Sequence, residues 1–302
     1  MVEHVHAVVL NWNNYDDTKR CIQSLQNTSY ENLHIWLVDN GSTDESPRRL
    51  RNTFGDDVNI SIIEIEENKG YGGGMNVGIK AALDKDADAV FALNNDIVFP
   101  KEDVITLLTN KLQQYPSLGA ISPMVKYLDT GEIKSKGADT GPMIPEAHFE
   151  RRQKQFQAEI KDPDLNYGVS YSACLFTAEA LRDGSLFPEE YFMYVEDIEH
   201  GLLLEDSGFH RATHTGVTIS HEFHGSTDPH GALPTYYKAR NWLLLHQKRI
   251  LNPRGRFLFW YLYFIVTRLI HRLVTLNVSS AIGLIRGVID GFRGRQGRGP
   301  YP

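Results

Sequence analysis

The stretch ALNNDIVFP, residues 92–100, decides the fold: an apolar run passes straight into Asn94, Asn95 and Asp96 before Pro100 stops it. Apolar runs of strand length that end in polar side chains and lead into amphipathic segments mark an α/β sheet with a ligand at its strand ends. Three similar units precede this one. HVHAVVL leads into an amphipathic segment over 16–26, LHIWLVD into one over 42–54, ISIIEIE into one over 71–83, and ADAVFAL, which contains the opening residues, into one over 101–114. A βα unit repeated four times predicts an α/β fold, a mostly parallel central sheet with helices on both faces and right-handed connections. Ser42 and Glu45 read as a capping box, which starts a helix directly after Asp39, Asn40 and Gly41.

Ligands of such sheets bind beyond the carboxyl ends of the strands. The residues there are Asn11-Trp12-Asn13, Asp39-Asn40-Gly41, Glu66-Glu67-Asn68 and Asn94-Asn95-Asp96. Four successive ends carrying hydrogen-bond acceptors converge on one crevice. Asp96, with Asn94 two residues before it, suits a hard divalent cation that also touches a diphosphate; it suits equally a cap for a helix beginning near Pro100. Asp39 is either a turn residue or a carboxylate that accepts a hydrogen bond from a pyrimidine imide. The glycine-rich NKGYGGGMN, residues 68–76, lacks the spacing of a dinucleotide fingerprint and the Gly-Lys-Ser/Thr of a Walker loop. What remains is a close-approach loop at a helix start, its backbone NH groups facing an anion or sugar hydroxyls, with a flexible turn as the alternative.

Length and composition bound the rest. A chain of 302 residues with 41% hydrophobic content holds one large domain plus an appendage, or two modest domains. Cys21 and Cys174 stand alone, which suggests neither a disulfide framework nor a cysteine zinc site. The N-terminus shows no signal-peptide pattern, so the expected location is the cytosol. Ten basic side chains against the single acid Asp290 leave +9 in residues 248–302 and −16 in the rest of a chain whose net charge is −7. An acidic body argues against nucleic acid as a ligand, and a basic aromatic tail suits an anionic membrane surface.

Residues 129–166, rich in charge, Gly and Pro, read as a long surface excursion of lid type. In YVEDIEHG, residues 194–201, Glu196 and Glu199 share a helix face while Asp197 projects about 100° away. A carboxylate among aromatic residues and other acids tends toward a raised pKa and suits general-base work; solvated acids on an exposed helix are the alternative, against which the adjoining aromatic residues speak. ISHEFHGS puts His221 and His224 after another apolar run, where they are structural or, beside Asp96, a further metal or phosphate contact. Tyr236, Tyr237, Arg240 and Asn241 share a helical stretch on which Arg240 either neutralises phosphate or pairs with an acid.

Taken together, NWN from Asn11, VDNGSTD around Asp39, NKGYGGGMN from Asn68, LNND from Leu93, FMYVEDIE from Phe192, H-x-x-H-G-S from His221 and YYKARN from Tyr236 resemble family-2 glycosyltransferases of the GT-A fold, in particular the rhamnosyltransferase-like branch. The resemblance spans residues 5–250. It implies an inverting transfer from a nucleotide diphosphate sugar, with Asp39 on the base, Asp96 at Mg2+ or Mn2+, and Asp197 as base for the acceptor hydroxyl. Asn11, Asn13, Asn68, Gly70, Tyr71, Asn76, Asn94, Asn95 and Arg240 complete the donor set, His221 joins Asp96 at the metal, and Glu196 and His224 support them. Asn94 stands where family members often carry aspartate, which weakens the metal motif. The implied domains are a catalytic one over 1–250 and a helical tail over 251–302. The donor expected first is dTDP-rhamnose, with galactofuranosyl or another hexosyl donor second, and the acceptor is a glycan or lipid-linked hydroxyl.

Rival readings are a sugar nucleotidyltransferase, a non-catalytic nucleotide-sugar-binding protein and a membrane scaffold. The first calls for a Gly-rich basic loop after the first strand, where this chain has Asn11-Trp12-Asn13-Asn14. The second needs no base, and the third gives four polar strand ends no purpose. In the tail, residues 257–267 are uncharged, and Arg268 and Arg272 follow one turn apart. This is too short for a spanning helix of about 20 apolar residues and suits an interfacial one over 257–276, at the inner face of the cell membrane. A core helix or a dimer contact is the alternative.

Overall fold

The computed structural model describes residues 2–135, 143–184, 186–222, 231–249 and 253–301. His224 falls outside them. The chain forms two compact units: Met1–Ala138, Ile160–Phe187 and His200–Ser226 make the first, and Asp139–Glu159, Pro188–Glu199 and Thr227–Pro302 the second.

The first unit opens with β1 (Val5–Asn11), α1 (Tyr15–Gln26), β2 (Leu33–Asn40), α2 (Ser46–Phe54), β3 (Ile60–Ile65), α3 (Gly70–Asp84) and β4 (Ala89–Asn94). These are the expected βα units. After them come β5 (Ile97–Val98), α4 (Val104–Gln114), β6 (Leu118–Tyr127), β7 (Ile133–Ser135), β8 (Leu165–Tyr167), β9 (Ala173–Thr177) and β10 (His210–His221). All ten strands form one sheet in the order β3-β2-β1-β4-β9-β6-β10-β5, with β7 beside β6 and β8 beside β10. β1 to β4 pair in parallel, as does β10 with β6, whereas β9 runs antiparallel between β4 and β6. The sheet is therefore mixed.

β1 and β4 are covered on both faces, which is why they read as unbroken apolar runs. Under α3 the core joins Val8, Val38, Val90, Ala92 and Phe176 to Met75, Ile79 and Ala82. The glycines explain how α3 lies so close. A Cβ at Gly74 would stand 2.6 Å from Leu10 Cδ1, and one at Gly78 would strike Val8 and come within 2.9 Å of Val38 Cγ2. The GYGGG run is thus helical from Gly70 onward and buried except at Tyr71, not a loop before a helix.

Two further expectations give way. α2 starts at Ser46, because Ser42 Oγ donates to Asp39 Oδ1 at 2.7 Å and Asp44 accepts from Ser46 N at 2.9 Å; no capping box forms. The 129–166 excursion contains β7, β8 and the helix α5 (Glu146–Glu159), and residues 136–142 of it lie outside the described residues.

The second unit holds α5, α7 (Ala232–Lys248), α8 (Arg254–Val274) and α9 (Val278–Phe292), with the opening turn of α6 (Glu196–Asp206). α9 packs on α7 through small residues: a Cβ at Gly283 would lie 2.7 Å from Ala232 O, and one at Gly291 2.8 Å from Leu243 Cδ1. α8 is fastened by Tyr261 OH, which donates to Ala239 O at 2.7 Å, and by Arg272 Nε, which donates to Ser280 Oγ at 2.8 Å. Contrary to the expectation of too short a run, α8 is, by length and composition alone, long and apolar enough to cross a membrane, and most of it is exposed.

Candidate functional site

The strand register brings the candidate residues to one edge. Asn11 pairs with Asp39 across β1 and β2, Leu10 with Asn94 across β1 and β4, and Asn40 with Ile65 across β2 and β3. A buried polar chain links these ends. Asn95 Nδ2 donates to Thr18 Oγ1 at 2.8 Å, Thr18 Oγ1 to Asn11 Oδ1 at 2.7 Å, and Asn11 Nδ2 to Asp39 Oδ1 at 2.6 Å. Ser42 completes it, its Oγ donating to Asp39 Oδ1 and its N to Asp39 Oδ2 at 3.0 Å. Asp39 is 2% exposed, so these donors replace the water its charge has lost. Oδ2 accepts only the Ser42 amide among these bonds and retains lone-pair capacity for a further donor.

The neighbouring turns are braced from within. Asn13, at φ 51°, accepts at Oδ1 from Thr43 N at 2.7 Å. Asn40 Nδ2 donates to Asn68 Oδ1 and Gly70 O, and Asn40 Oδ1 accepts from Lys69 N at 3.0 Å. Gly41, at φ 69°, admits no side chain, because a Cβ there would lie 2.6 Å from Asn68 N. Asn76 pairs both ways with the Phe187 backbone, donating to its O at 2.8 Å and accepting from its N at 2.9 Å. Tyr71 OH donates to Tyr171 O at 3.1 Å and its ring meets Phe187 edge-on. Asn13, Asn68, Tyr71 and Asn76, expected at the donor, have side chains engaged in shaping these turns and packing contacts.

Asp96 does not cap a helix, since α4 begins eight residues later. Its Oδ1 lies 2.8 Å from His221 Nε2, where antiparallel β5 and β10 meet at Ile97 and His221. Among the described residues this buried Oδ1 has no hydrogen bond. A buried carboxylate oxygen left in this state, with an imidazole nitrogen beside it, fits a cation. Among the described residues no three His, Cys, Asp or Glu side chains gather around one point. Two protein ligands, with diphosphate and water for the rest, is how Mg2+ is commonly held. Lys134, which the sequence reading passed over inside the 129–166 excursion, brings Nζ to 3.2 Å from His221 Nδ1. Its stem is exposed, but desolvation at the crowded ammonium lowers it to about 8. Cys21, near Asp96, is inert: burial, then the Asp96 charge, push its thiol up.

The acidic group lies in the second unit. Asp197 is half-buried and its Oδ1 accepts from Ile198 N at 2.9 Å. Beside it, Glu196 is 5% exposed with an unbonded Oε2, and burial followed by the Asp197 charge raises its carboxyl well above the ordinary range. Glu199 is instead the buried ion-pair partner of Lys248, at 2.9 Å, and Arg249, at 3.2 Å. Arg240 corrects an expectation. It is fully buried, and its guanidinium donates to Asn241 Oδ1, Gly297 O and Tyr191 O at 2.7–2.8 Å while lying over the Tyr237 ring. A group so enclosed organises its own unit and does not meet a phosphate.

Comparison with known proteins places the chain in a family and a fold. The profile of Glycosyl transferase family 2 matches residues 7–184. The N-acetylglucosaminyl-diphospho-decaprenol L-rhamnosyltransferase of Mycobacterium tuberculosis is 24% identical over 260 residues, 79% of this chain and 83% of that protein. The low-salt glycan biosynthesis hexosyltransferase Agl10 of Haloferax volcanii is 25% identical over 201 residues, 66% of this chain and 61% of that protein. Among solved structures, the mannosyltransferase PcManGT from Pyrobaculum calidifontis, in complex with GDP-Man and Mn2+, superposes with a TM-score of 0.61 at 16% identity, over 96% of this chain and 87% of that one. S. aureus TarS 1–349 in complex with UDP-GlcNAc gives a TM-score of 0.58 at 12% identity, over 97% and 92%. The fold is that of GT-A glycosyltransferases, with helices added at the C-terminus.

Proposed function

The chain belongs to glycosyl transferase family 2, and we propose that it moves a sugar, with inversion, from a nucleoside diphosphate donor to a hydroxyl of a glycan or lipid-linked acceptor in the synthesis of a cell-surface polysaccharide or glycoconjugate. The observation that carries this reading is the strand-end row: Asp39 held by Asn11 and Ser42 at one end, and Asp96 with a buried oxygen beside His221 at the other, along the parallel β2, β1 and β4 of the mixed sheet.

Asp39 Oδ2 accepts from the imide of the base; Asn11 and Ser42 orient that carboxylate, and Thr18 orients Asn11. Asp96 and His221 are the residues that hold a divalent cation, Mg2+ or Mn2+, with Asn94 beside them. Bound there, the cation supplies positive charge to the departing diphosphate. Asp197 takes the proton of the acceptor hydroxyl as its oxygen bonds to the anomeric carbon; the bond from that carbon to the diphosphate oxygen breaks, and its electron pair leaves with the diphosphate. Burial and the Asp197 charge raise the Glu196 carboxyl well above the ordinary range, so the two neighbouring acids differ in their readiness to ionise. Base assistance of this kind contributes about 10²- to 10⁴-fold.

The donor put first is dTDP-rhamnose, supported by the name of the mycobacterial relative; a hexosyl donor such as a galactofuranosyl one is second, supported by the name of the haloarchaeal relative. The lipid-linked acceptor draws on that same mycobacterial name. The tail supports it further. Phe259, Leu262, Val266 and Ile270 form an exposed stripe on α8, as do Ile285 and Ile289 on α9, in a segment rich in arginine. An anionic leaflet matches both apolar stripes and positive charge. The enzyme then works on the cytoplasmic side, peripheral at the inner face of the membrane.

The test is a panel of nucleotide sugars incubated with purified protein and Mg2+ or Mn2+, with nucleoside diphosphate release as the signal. One donor should be hydrolysed slowly by the wild type and about 10²- to 10⁴-fold more slowly by Asp197→Asn, which still binds it. Release from no donor, or full activity in Asp197→Asn, counts against the reading.

A further inference from the structure

The segment that leads into α6 is strained. Phe192, Tyr194 and Val195 take φ values of 64°, 65° and 77°, all left-handed and none of them glycine. Each such residue persists only where its surroundings over-determine it; for a β-branched residue such as Val195 the conformation is a true outlier. Glu196 and Asp197 follow at once, so the direction in which Asp197 leaves the backbone is set by these three residues.

The restraint comes from α7. Asn241 Nδ2 donates to three carbonyls of the segment, Met193 O and Tyr194 O at 2.8 Å and Tyr191 O at 3.0 Å. Arg240 Nη2 donates to Tyr191 O at 2.8 Å, and Arg240 Nε donates to Asn241 Oδ1 at 2.8 Å, which fixes which end of the amide faces the strained loop. Both side chains are fully buried. The Phe192 ring stacks on Tyr237 with centroids 5.2 Å apart. One helix further down, Lys248 and Arg249 hold Glu199 from the far end of α7. Only an amide presents two coplanar N–H groups to carbonyls on one side and an acceptor to Arg240 on the other.

We propose that Asn241, oriented by Arg240, is a positioning residue for the transfer reaction: it holds the segment 192–195, with its left-handed Phe192, Tyr194 and Val195, in its path and thereby fixes the direction of Asp197. This rests on Asp197 being the base. Asn241 itself touches no reactant. Removing its donors lets the segment relax toward ordinary backbone angles and turns Asp197 away from the hydroxyl, and a misplacement of about 1 Å is enough for a roughly 10²-fold loss.

The experiment compares Asn241→Leu and Asn241→Asp, each alone and combined with Asp197→Asn, using the donor hydrolysed fastest in the nucleotide-sugar panel. The expected result is a roughly 10²-fold lower kcat with the donor KM within about twofold, and no further loss when either change is added to Asp197→Asn. Amide exchange should quicken over 192–198 while the rest of α7 keeps its protection, a readout that holds if one variant proves too unstable for kinetics. An unchanged kcat in a folded Asn241 variant while Asp197→Asn loses at least about 10²-fold overturns the positioning role alone. A loss that multiplies fully with that of Asp197→Asn overturns it too. Full activity in Asp197→Asn removes the base, and with it the role given to Asn241.

Discussion

Asn11 and Asp39 end neighbouring parallel strands at the same level, and the amide of one donates to the carboxylate of the other at 2.6 Å. The contact is the middle of a chain that begins at Asn95, next to Asp96, and passes through Thr18 on α1. The hydroxyl of Thr18 both receives and gives a hydrogen bond there, so Thr18→Val, equal in shape, leaves Asn11 Oδ1 and Asn95 Nδ2 unpaired. Stability should fall by about 1–3 kcal/mol in urea unfolding, and affinity for a nucleoside diphosphate should fall with it. A variant as stable as wild type with the same affinity would mean the chain matters to neither.

Gly78→Ala tests the close approach of α3 to the sheet. The new methyl would meet both Val8 and Val38, two β-branched side chains with little rotamer freedom. The gain in helix propensity, about 1 kcal/mol, is outweighed by overpacking of about 1–3 kcal/mol. Thermal unfolding should show a lower Tm than wild type; an equal or higher one would show that the strands yield easily.

Glu196 gives stability a dependence on pH. Burial and the Asp197 charge raise its pKa well above the ordinary 4.5, so the folded chain holds a proton that the unfolded chain releases near that value. Folding therefore takes up a proton, and the contribution, complete below about pH 4.5, is lost as pH rises toward the folded value. Glu196→Gln should remove this slope and gain on wild type steadily from pH 5 upward. Parallel stability curves for the two proteins would contradict the assignment.

The tail is tested without deleting it, because α7 packs against α9 and truncation would strip that surface. Phe259→Ser combined with Ile270→Ser keeps the fold and breaks the exposed stripe, whose members are 63% and 56% exposed. Wild type should sediment with phosphatidylglycerol vesicles more than with phosphatidylcholine ones, and the variant with neither. If wild type stays in the supernatant and runs as a dimer that the variant dissociates, the stripe joins two copies instead.

The four βα units and the edge carrying Asp39 and Asp96 were legible because strand and helix periods and strand-end polarity are local signals. The antiparallel course of β9 was not, since ACLFT is apolar in either direction and its neighbours β4 and β6 are chosen by the whole sheet. Ser42 misled for a related reason: its hydroxyl has partners in both Asp39 and Asn11, the latter 31 residues away, that a capping pattern does not see. The glycines of α3 and the burial of Arg240 depend on what packs against them, and no spacing announces that. Asn241 was visible only as one residue of a helical motif; its three carbonyl partners lie nearly fifty residues upstream.

The central claim is that Asp96, at the end of β4, holds the cation and diphosphate of the donor. Calorimetric titration of dTDP and UDP into wild type and Asp96→Ala, with and without Mn2+, tests it most directly. Wild type should bind one of them at least tenfold more tightly with Mn2+, a difference of about 1.4 kcal/mol, and Asp96→Ala should show the same weak affinity in both conditions. A cation effect in Asp96→Ala equal to that of wild type would contradict the account.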